Sequence, residues 1–130
     1  MVALTCLALA VYFEARAEPV SGQLAVAQVV VNRSMSPEFP DSVCGVISDG
    51  ASDGDRRCQF SFMCDGKPET IVDQKAYTLA LMVASVALSP GYHDPSGGAT
   101  YFHAVGVDPS WAGKMTKSAQ IGEHVFYRSQ

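Results

Sequence analysis

The feature that most constrains the fold is a pair of apolar segments near the start of the chain, separated by Pro19. The first segment, MVALTCLALAVYF, carries no charge before Glu14. Its apolar side chains recur at the i, i+3, i+4, i+7 spacing of a helix, at Leu4, Leu7, Ala8, Val11 and Ala15. A first helix is therefore predicted from residue 3 to about residue 17, because the residue before a proline is displaced from helical geometry.

The second segment, SGQLAVAQVVVNRS, is apolar on almost every side and follows Pro19, a residue that suits the first turn of a helix. Its run of valines would also fit a buried strand. Its length and its content of Ala and Gln favour a buried helix instead. We therefore predict a second helix over residues 21–34.

The remaining chain alternates between loop-forming and regular segments. Residues 34–72 hold many prolines, glycines and aspartates and predict loops, with CQFSFMC among them as a short strand or a packed loop. Residues 72–89 predict a third helix, with Asp73 near its start and Pro90 after its end. HDPSGG predicts a turn, while ATYFHAV and EHVFYR predict two paired strands. This order predicts an α+β class, which we assign to one domain over residues 1–130.

Charge and length exclude several function classes. The net charge of −4 and the mostly isolated basic residues argue against a non-specific nucleic-acid binder, which needs a basic face. The apolar start falls short of the roughly 18 residues of a membrane span, and it lacks the basic residues that open a signal peptide. We interpret it as a helix of the fold. No cofactor or metal is implied.

The four cysteines bear on both metal binding and disulfide bonding. No Cys-x2-Cys spacing occurs and the three histidines are scattered, which argues against zinc. Cys6 lies in the first apolar segment and is expected to be a small buried thiol. Cys58 and Cys64 could pair with each other or with Cys44. A disulfide would favour an exported protein.

Glu14 and Glu18, at the end of the first helix, are the candidate catalytic carboxylates. Glu14 continues the stripe of buried side chains, whereas Arg16 lies about 200° around the helix and cannot easily neutralise it. Burial and the helix C-terminus both raise a carboxyl pKa, as a general acid requires. The residues alone leave two interpretations of Glu14 open, a general acid or the solvated end of a helix. Glu18, beside Pro19, is expected to be a junction residue.

Several motifs, in order, make this sequence resemble the SleB/CwlJ-type cell-wall hydrolases. They are YFEARAEPVSGQLAVAQVVVNR, FPDSVCGVI, CQFSFMCDG, DPSGGATYFHA and SWAGKMTKSAQIGEHVFYR. The resemblance implies a lysozyme-like fold related to the lytic transglycosylases, a peptidoglycan glycan strand as substrate, and Glu14 as the catalytic glutamate. This chain has Ala17 where the family pattern has Gly. We expect an exported protein of the periplasm or cell wall, monomeric, with a phage lysis role also possible.

The resemblance further implies a mechanism that needs one carboxylate. A lytic transglycosylase uses one glutamic acid as acid and then as base, producing a 1,6-anhydro end. Two alternatives remain at this stage. One is a hydrolysing muramidase or glucosaminidase in which a residue such as Asp65 positions water. The other is a catalytically silent peptidoglycan-binding module.

Six residues are candidates for substrate binding by the same resemblance: Gln59, Phe60, Ser61, Tyr101, His103 and Trp111. Core packing is the commoner role for aromatic residues such as these. Because side chains alternate along a strand, we expect Tyr101 to face the cleft and Phe102 to pack inward. His124 is expected to be a hydrogen-bonded structural residue. No Gly-x-Ser-x-Gly elbow supports a Ser/His nucleophile.

Overall fold

The computed structural model describes residues 2–49, 60–63 and 70–129 of the 130-residue chain. Its α-helices are α1 (Ala3–Ala15), α2 (Val20–Ser34), α3 (Val43–Ile47) and α4 (Gln74–Ala87). Its strands are β1 (Tyr101–Ala104), β2 (Thr116–Ile121) and β3 (His124–Arg128), and short 3-10 helices occupy Ser61–Met63 and Ala112–Lys114. The predicted α+β class is confirmed. No helix among the described residues has both the length and the apolarity needed to cross a membrane.

The first hydrophobic cluster lies among the helices and is centred on α1. Leu7, Val11 and Tyr12 are fully buried there, and they pack with residues of α2, α3 and α4. The Tyr12 hydroxyl accepts hydrogen bonds from the backbone N–H groups of Val72 and Asp73, at 3.2 and 3.0 Å. The Asp73 carboxylate in turn caps α4. The three predicted helices are confirmed, and Tyr12 fixes the start of the last one against α1.

A disulfide joins Cys6 to Cys44, with an S–S distance of 2.05 Å. The expectation that Cys6 is a free buried thiol is therefore wrong, as is the pairing of Cys44 with Cys58 or Cys64. The reason is α3, a short helix that was not predicted, which brings Cys44 against α1 with a Cα–Cα distance of 5.3 Å. Cys58 and Cys64 lie outside the described residues.

The three strands form an antiparallel sheet in the order β1-β3-β2. The predicted pairing of the first and last strands is confirmed, with Tyr101 opposite Tyr127 and Phe102 opposite Phe126. β2 was not predicted, because its sequence TKSAQI lacks the alternation of apolar and polar residues that marks a strand.

The sheet packs on α2 through a second, smaller hydrophobic cluster. Its buried members are Ala15, Ala25, Val26, Val29, Ala99 and Phe126. Phe102 packs against this cluster, and its ring stacks on Phe126 with centroids 5.9 Å apart. Phe102 therefore packs inward, as predicted.

The turn before β1 is attached to α2 by a carboxylate. Asp94 accepts hydrogen bonds from the backbone N–H and hydroxyl of Ser96, both at 2.7 Å, from the Asn32 side-chain amide at 3.0 Å and from Gly98 N–H at 2.9 Å. The Asn32 amide also donates to Ala99 O at 2.8 Å. Burial raises the pKa of Asp94, but these hydrogen bonds outweigh it and lower the pKa overall. The network fixes the residues just before β1 against α2.

Candidate active site

Glu14 lies in the last turn of α1, where that helix passes from one hydrophobic cluster to the other. Val11 belongs to the helical cluster and Ala15 to the sheet-facing cluster, and both are buried. Glu14 itself is half-buried, and burial raises the pKa of its carboxyl. No charged or hydrogen-bonding neighbour in the described part of the chain contributes to that shift. The structure thus favours the protonated form of Glu14.

Arg16 does not neutralise Glu14. Its guanidinium lies over the ring of Tyr12, 4.5 Å from the centroid. This cation–π contact occupies the one basic side chain close to Glu14 in sequence. The predicted separation of Arg16 from Glu14 is consistent with this arrangement.

Glu18 occupies the junction between α1 and α2, and its carboxylate reaches the turn between β2 and β3. Oε1 accepts a hydrogen bond from Glu123 N–H at 2.8 Å and lies 3.1 Å from His124 Nδ1. The His124 contact is short but is not aligned as a hydrogen bond. Only 9% of the Glu18 side chain is exposed. Glu14 and Glu18 are therefore in different environments: within the described ranges Glu14 has no polar partner, whereas Glu18 accepts a hydrogen bond from Glu123 N–H.

Three of the predicted substrate-binding residues come together on one side of the sheet. Tyr101 and His103 project to the same face of β1 and both contact Trp111, with ring centroids 5.2 and 5.8 Å apart. Tyr127 completes the group, 5.3 Å from His103 and 5.4 Å from Trp111, and its hydroxyl lies 3.0 Å from His103 Nε2. All four residues are half-buried. We call Tyr101, His103, Trp111 and Tyr127 the aromatic cluster.

Of the QFS motif, the structure describes Phe60 and the backbone of Ser61. Phe60 is 2% exposed and packs in the helical cluster, where its ring lies 6.3 Å from that of Phe62. A ring buried in this way has no face to offer a sugar, so we leave Phe60 out of the proposed binding surface. Ser61 begins a 3-10 helix, of which only the backbone is described. Gln59 lies outside the described residues, as does Asp65.

Arg33, which the sequence analysis did not single out, connects the helices to the aromatic cluster. It is 5% exposed, and its Nε donates to Thr100 O at 2.6 Å. Its guanidinium lies 5.2 Å from the ring of Tyr101 and 5.8 Å from that of Phe60. Burial lowers the pKa of Arg33, and the nearby Tyr101 and Asp49 oppose that effect.

The position of Arg33 on α2 could have revealed it. Arg33 lies three and four residues after Val30 and Val29, which places it on their buried face. An arginine on such a face needs partners for its charge, and aromatic faces together with a carbonyl oxygen supply them here.

Residues 17–127 match the cell wall hydrolase family. The chain belongs to this family. The match begins just after Glu14, so it covers the aromatic cluster and leaves the candidate acid outside. Two curated relatives are spore cortex-lytic enzymes. The one from Halalkalibacterium halodurans is 38% identical over 92% of this chain, and the one from Bacillus subtilis is 36% identical over 92%. This chain spans 33% and 35% of their lengths.

Two solved structures share the fold. The catalytic domain of the Bacillus cereus SleB protein superposes with a TM-score of 0.71 at 31% identity, covering 97% of this chain and 89% of that one. The catalytic domain of the germination-specific lytic transglycosylase SleB from Bacillus anthracis gives a TM-score of 0.72 at 31% identity, covering 97% and 93%. These neighbours support the assignment of both class and family.

Proposed function

We propose that this protein cleaves the glycan strands of peptidoglycan as a lytic transglycosylase, with Glu14 as its only catalytic carboxylate. The observation that carries the proposal is the half-buried Glu14 carboxyl, whose pKa is raised by burial at the end of an apolar helix. Such a group keeps its proton to higher pH than an exposed glutamate does, which suits a general acid. Membership of the cell wall hydrolase family supports peptidoglycan as the substrate, and the Bacillus anthracis neighbour is itself described as a lytic transglycosylase.

The proposed reaction has two steps and consumes no water. Protonated Glu14 donates its proton to the glycosidic oxygen between MurNAc C1 and GlcNAc C4, and the C1–O bond breaks as GlcNAc leaves with a new 4-hydroxyl. The Glu14 carboxylate then removes the proton from the MurNAc 6-hydroxyl while O6 bonds to C1. The product carries a 1,6-anhydro ring, and Glu14 is protonated again.

The surroundings of Glu18 support a mechanism with one carboxylate. A glycosidase with two catalytic carboxylates needs the second one available to a water molecule or to the sugar. Glu18 is instead nearly buried, with one oxygen committed to Glu123 N–H and close to His124. It is therefore a poor candidate for a nucleophile or a base, which favours the transglycosylase over a hydrolase built on this pair.

The aromatic cluster is the proposed surface for the sugar rings. Half-buried aromatic rings present one apolar face to solvent while their other contacts hold them rigid. Tyr101 and Trp111 are half-buried rings in contact with each other, and His103 is held beside them through Ala104 O at 2.8 Å and the Tyr127 hydroxyl at 3.0 Å. We place the action of the protein at the cell wall, outside the cytoplasm.

Replacement of the acid tests the proposal. Glu14→Gln preserves the shape of the side chain but has no proton to donate, so turnover of purified peptidoglycan should fall by about 10²–10⁴-fold. Binding in a pull-down with insoluble peptidoglycan should stay at the wild-type level. Glu38→Gln, at an exposed glutamate, is the matched control and should leave turnover unchanged. Activity that survives in Glu14→Gln would refute the site, and a wild-type protein that binds without turnover would indicate a binding module.

A further inference from the structure

The carboxylate of Glu18 lies in a socket made by two glycines. A Cβ atom added to Gly122 would lie 2.5 Å from Glu18 Oε1, closer than real contacts allow. One added to Gly22 on α2 would lie 3.2 Å from Glu18 Cβ and 3.3 Å from Oε1. We call Gly22, Gly122, Glu123 N–H and His124 the Glu18 socket. The Glu18 carboxylate in its observed position leaves no room for a side chain at Gly122 and little room for one at Gly22.

The backbone of Glu18 connects the socket to Ala15, the residue that follows Glu14. Glu18 N–H donates to Ala15 O at 2.9 Å, and the Gln23 side-chain amide donates to Glu18 O at 3.0 Å. Ala15 is 2% exposed and is the last residue of α1. A chain of short contacts therefore runs from the β2–β3 turn through Glu18 to the last turn of α1, which carries Glu14.

The socket also contacts the strand that carries the aromatic cluster. The His124 ring lies edge-on to Phe102, with centroids 5.2 Å apart. Phe102 is the neighbour of Tyr101 on β1 and faces the opposite side of that strand. His124, which lies beside the Glu18 carboxylate, is thus in contact with a residue that supports the inner side of β1.

We propose that Glu18 is a positioning residue that fixes the end of α1 against the sheet, so that Glu14 is aimed at a glycan held on the aromatic cluster. This inference rests on the proposed role of Glu14 as the acid. A carboxylate that served only stability would have no reason to affect the proton of Glu14. A carboxylate that sets the burial of Glu14 changes both the rate and its pH dependence when it is displaced.

Gly122→Ala disrupts the socket without changing any charge. The new Cβ atom would collide with Glu18 Oε1, while Arg16, Glu18 and His124 themselves are unchanged. We expect kcat to fall by about 10–100-fold, since small displacements of a catalytic group are this costly, with KM unchanged. The alkaline limb of the kcat–pH profile should move to lower pH, because a displaced Glu14 is better hydrated and loses its proton more easily.

Gly91→Ala is the matched control. Gly91 has φ +77° and Gly122 has φ +57°, so both substitutions strain a left-handed backbone, but a Cβ at Gly91 meets nothing within 4 Å. The control should lose stability without losing kcat or shifting the pH profile. An equal loss of kcat in both variants would overturn the inference.

A second pair of variants keeps the test decisive if Gly122→Ala does not fold. Glu18→Ala and Glu18→Gln remove the same charge, but the Gln oxygen can still accept from Glu123 N–H. We expect Glu18→Ala to lose kcat and to shift the pH profile as Gly122→Ala does. Glu18→Gln should keep a kcat and a pH profile close to those of the wild type. If the folded Glu18→Ala protein has wild-type kcat and pH profile, Glu18 does not position Glu14.

Glu14→Gln, measured in the same assay, separates the two proposals. Suppose that Glu14→Gln is inactive while Gly122→Ala and Glu18→Ala are fully active. This result would refute the positioning role of Glu18 and leave the proposed function intact. An active Glu14→Gln would refute the proposed function itself.

Discussion

The helical cluster and the sheet-facing cluster are held together by different kinds of interaction. Around α1 the contacts are apolar, with fully buried side chains such as Leu7 and Val11 and one disulfide. On the side of the sheet, fewer apolar residues are buried, and charged side chains connect the elements: Glu18, Arg33 and Asp94. The first kind of contact fills volume, while the second fixes particular atoms at particular distances.

This difference bears on how the candidate acid is placed. Glu14 lies on α1 where the helix leaves the apolar cluster and meets the polar connections. The apolar side supplies the burial that favours its proton. The polar side fixes the position of α1 relative to the strand that carries the aromatic cluster. Loss of one partner from a buried polar contact is costly, so the sheet-facing side should be the more sensitive to conservative substitutions.

Truncation in the helical cluster should give the largest loss of stability. Leu7→Ala leaves a cavity beside fully buried neighbours, and we expect the free energy of unfolding to fall by about 2–5 kcal/mol. Leu4→Ala, on the same helix at a site that is 37% exposed, is the control and should cost much less. Urea denaturation measures both. Equal losses would mean that burial does not hold the helical side together.

Loss of one carboxylate should destabilise the sheet-facing side by a smaller amount. Asp94→Asn replaces one accepting oxygen with an NH2 group that faces hydrogen-bond donors, and it should cost about 1.5–3 kcal/mol at pH 7. The lowered pKa of Asp94 stabilises the fold above the ordinary aspartate pKa of about 3.9, and this contribution is lost as pH falls through the lowered value. The difference between the variant and the wild type should therefore shrink in acid.

The exposed Asp41 provides the comparison for Asp94. Asp41→Asn should leave the unfolding free energy close to that of the wild type across the same pH range. If Asp94→Asn behaves in the same way as Asp41→Asn, the network around Asp94 does not hold β1 in place.

The smallest predicted effect is a gain of stability at Glu14. Its raised pKa means that burial opposes ionisation, so stability is full below about pH 4 and declines as pH rises through the raised value. Glu14→Gln cannot ionise, so it avoids the cost of a buried charge at pH 7. We expect its free energy of unfolding to exceed that of the wild type by about 0.5–2 kcal/mol. Thermal unfolding at pH 4 and pH 7 measures it. A gain that persists unchanged at pH 4 would contradict a burial effect on the proton.

The helices could be predicted because apolar periodicity reports burial directly. α1 follows this pattern, α2 was predicted from its length and its content of Ala and Gln, and α4 from Asp73 before it and Pro90 after it. Strands β1 and β3 follow from apolar and aromatic runs between turns. α3 has five residues, too few for a periodic signal, and its omission led to the wrong interpretation of Cys6. The assignment of the whole chain to one domain stays a prediction.

The polar connections could not be read from the sequence, because they join distant residues. Asn32 meets Asp94 across 62 positions, and Glu18 meets Glu123 across 105. A local pattern placed Glu18 at a junction but could not show what its carboxylate touches. The grouping of Tyr101, His103 and Trp111 was predicted through the family resemblance, and the structure brings these three together. Their contact with a glycan stays a prediction.

The central claim is tested most directly by the chemical form of the new glycan ends. Purified peptidoglycan is digested with the wild-type protein, with Glu14→Gln as the blank, and the soluble fragments are analysed by mass spectrometry before any reduction step. We predict muropeptides that end in 1,6-anhydro-MurNAc, one water lighter than the hydrolysis products, and none above background with Glu14→Gln. Fragments with reducing ends in place of anhydro ends would contradict the mechanism and show that water attacks the bond.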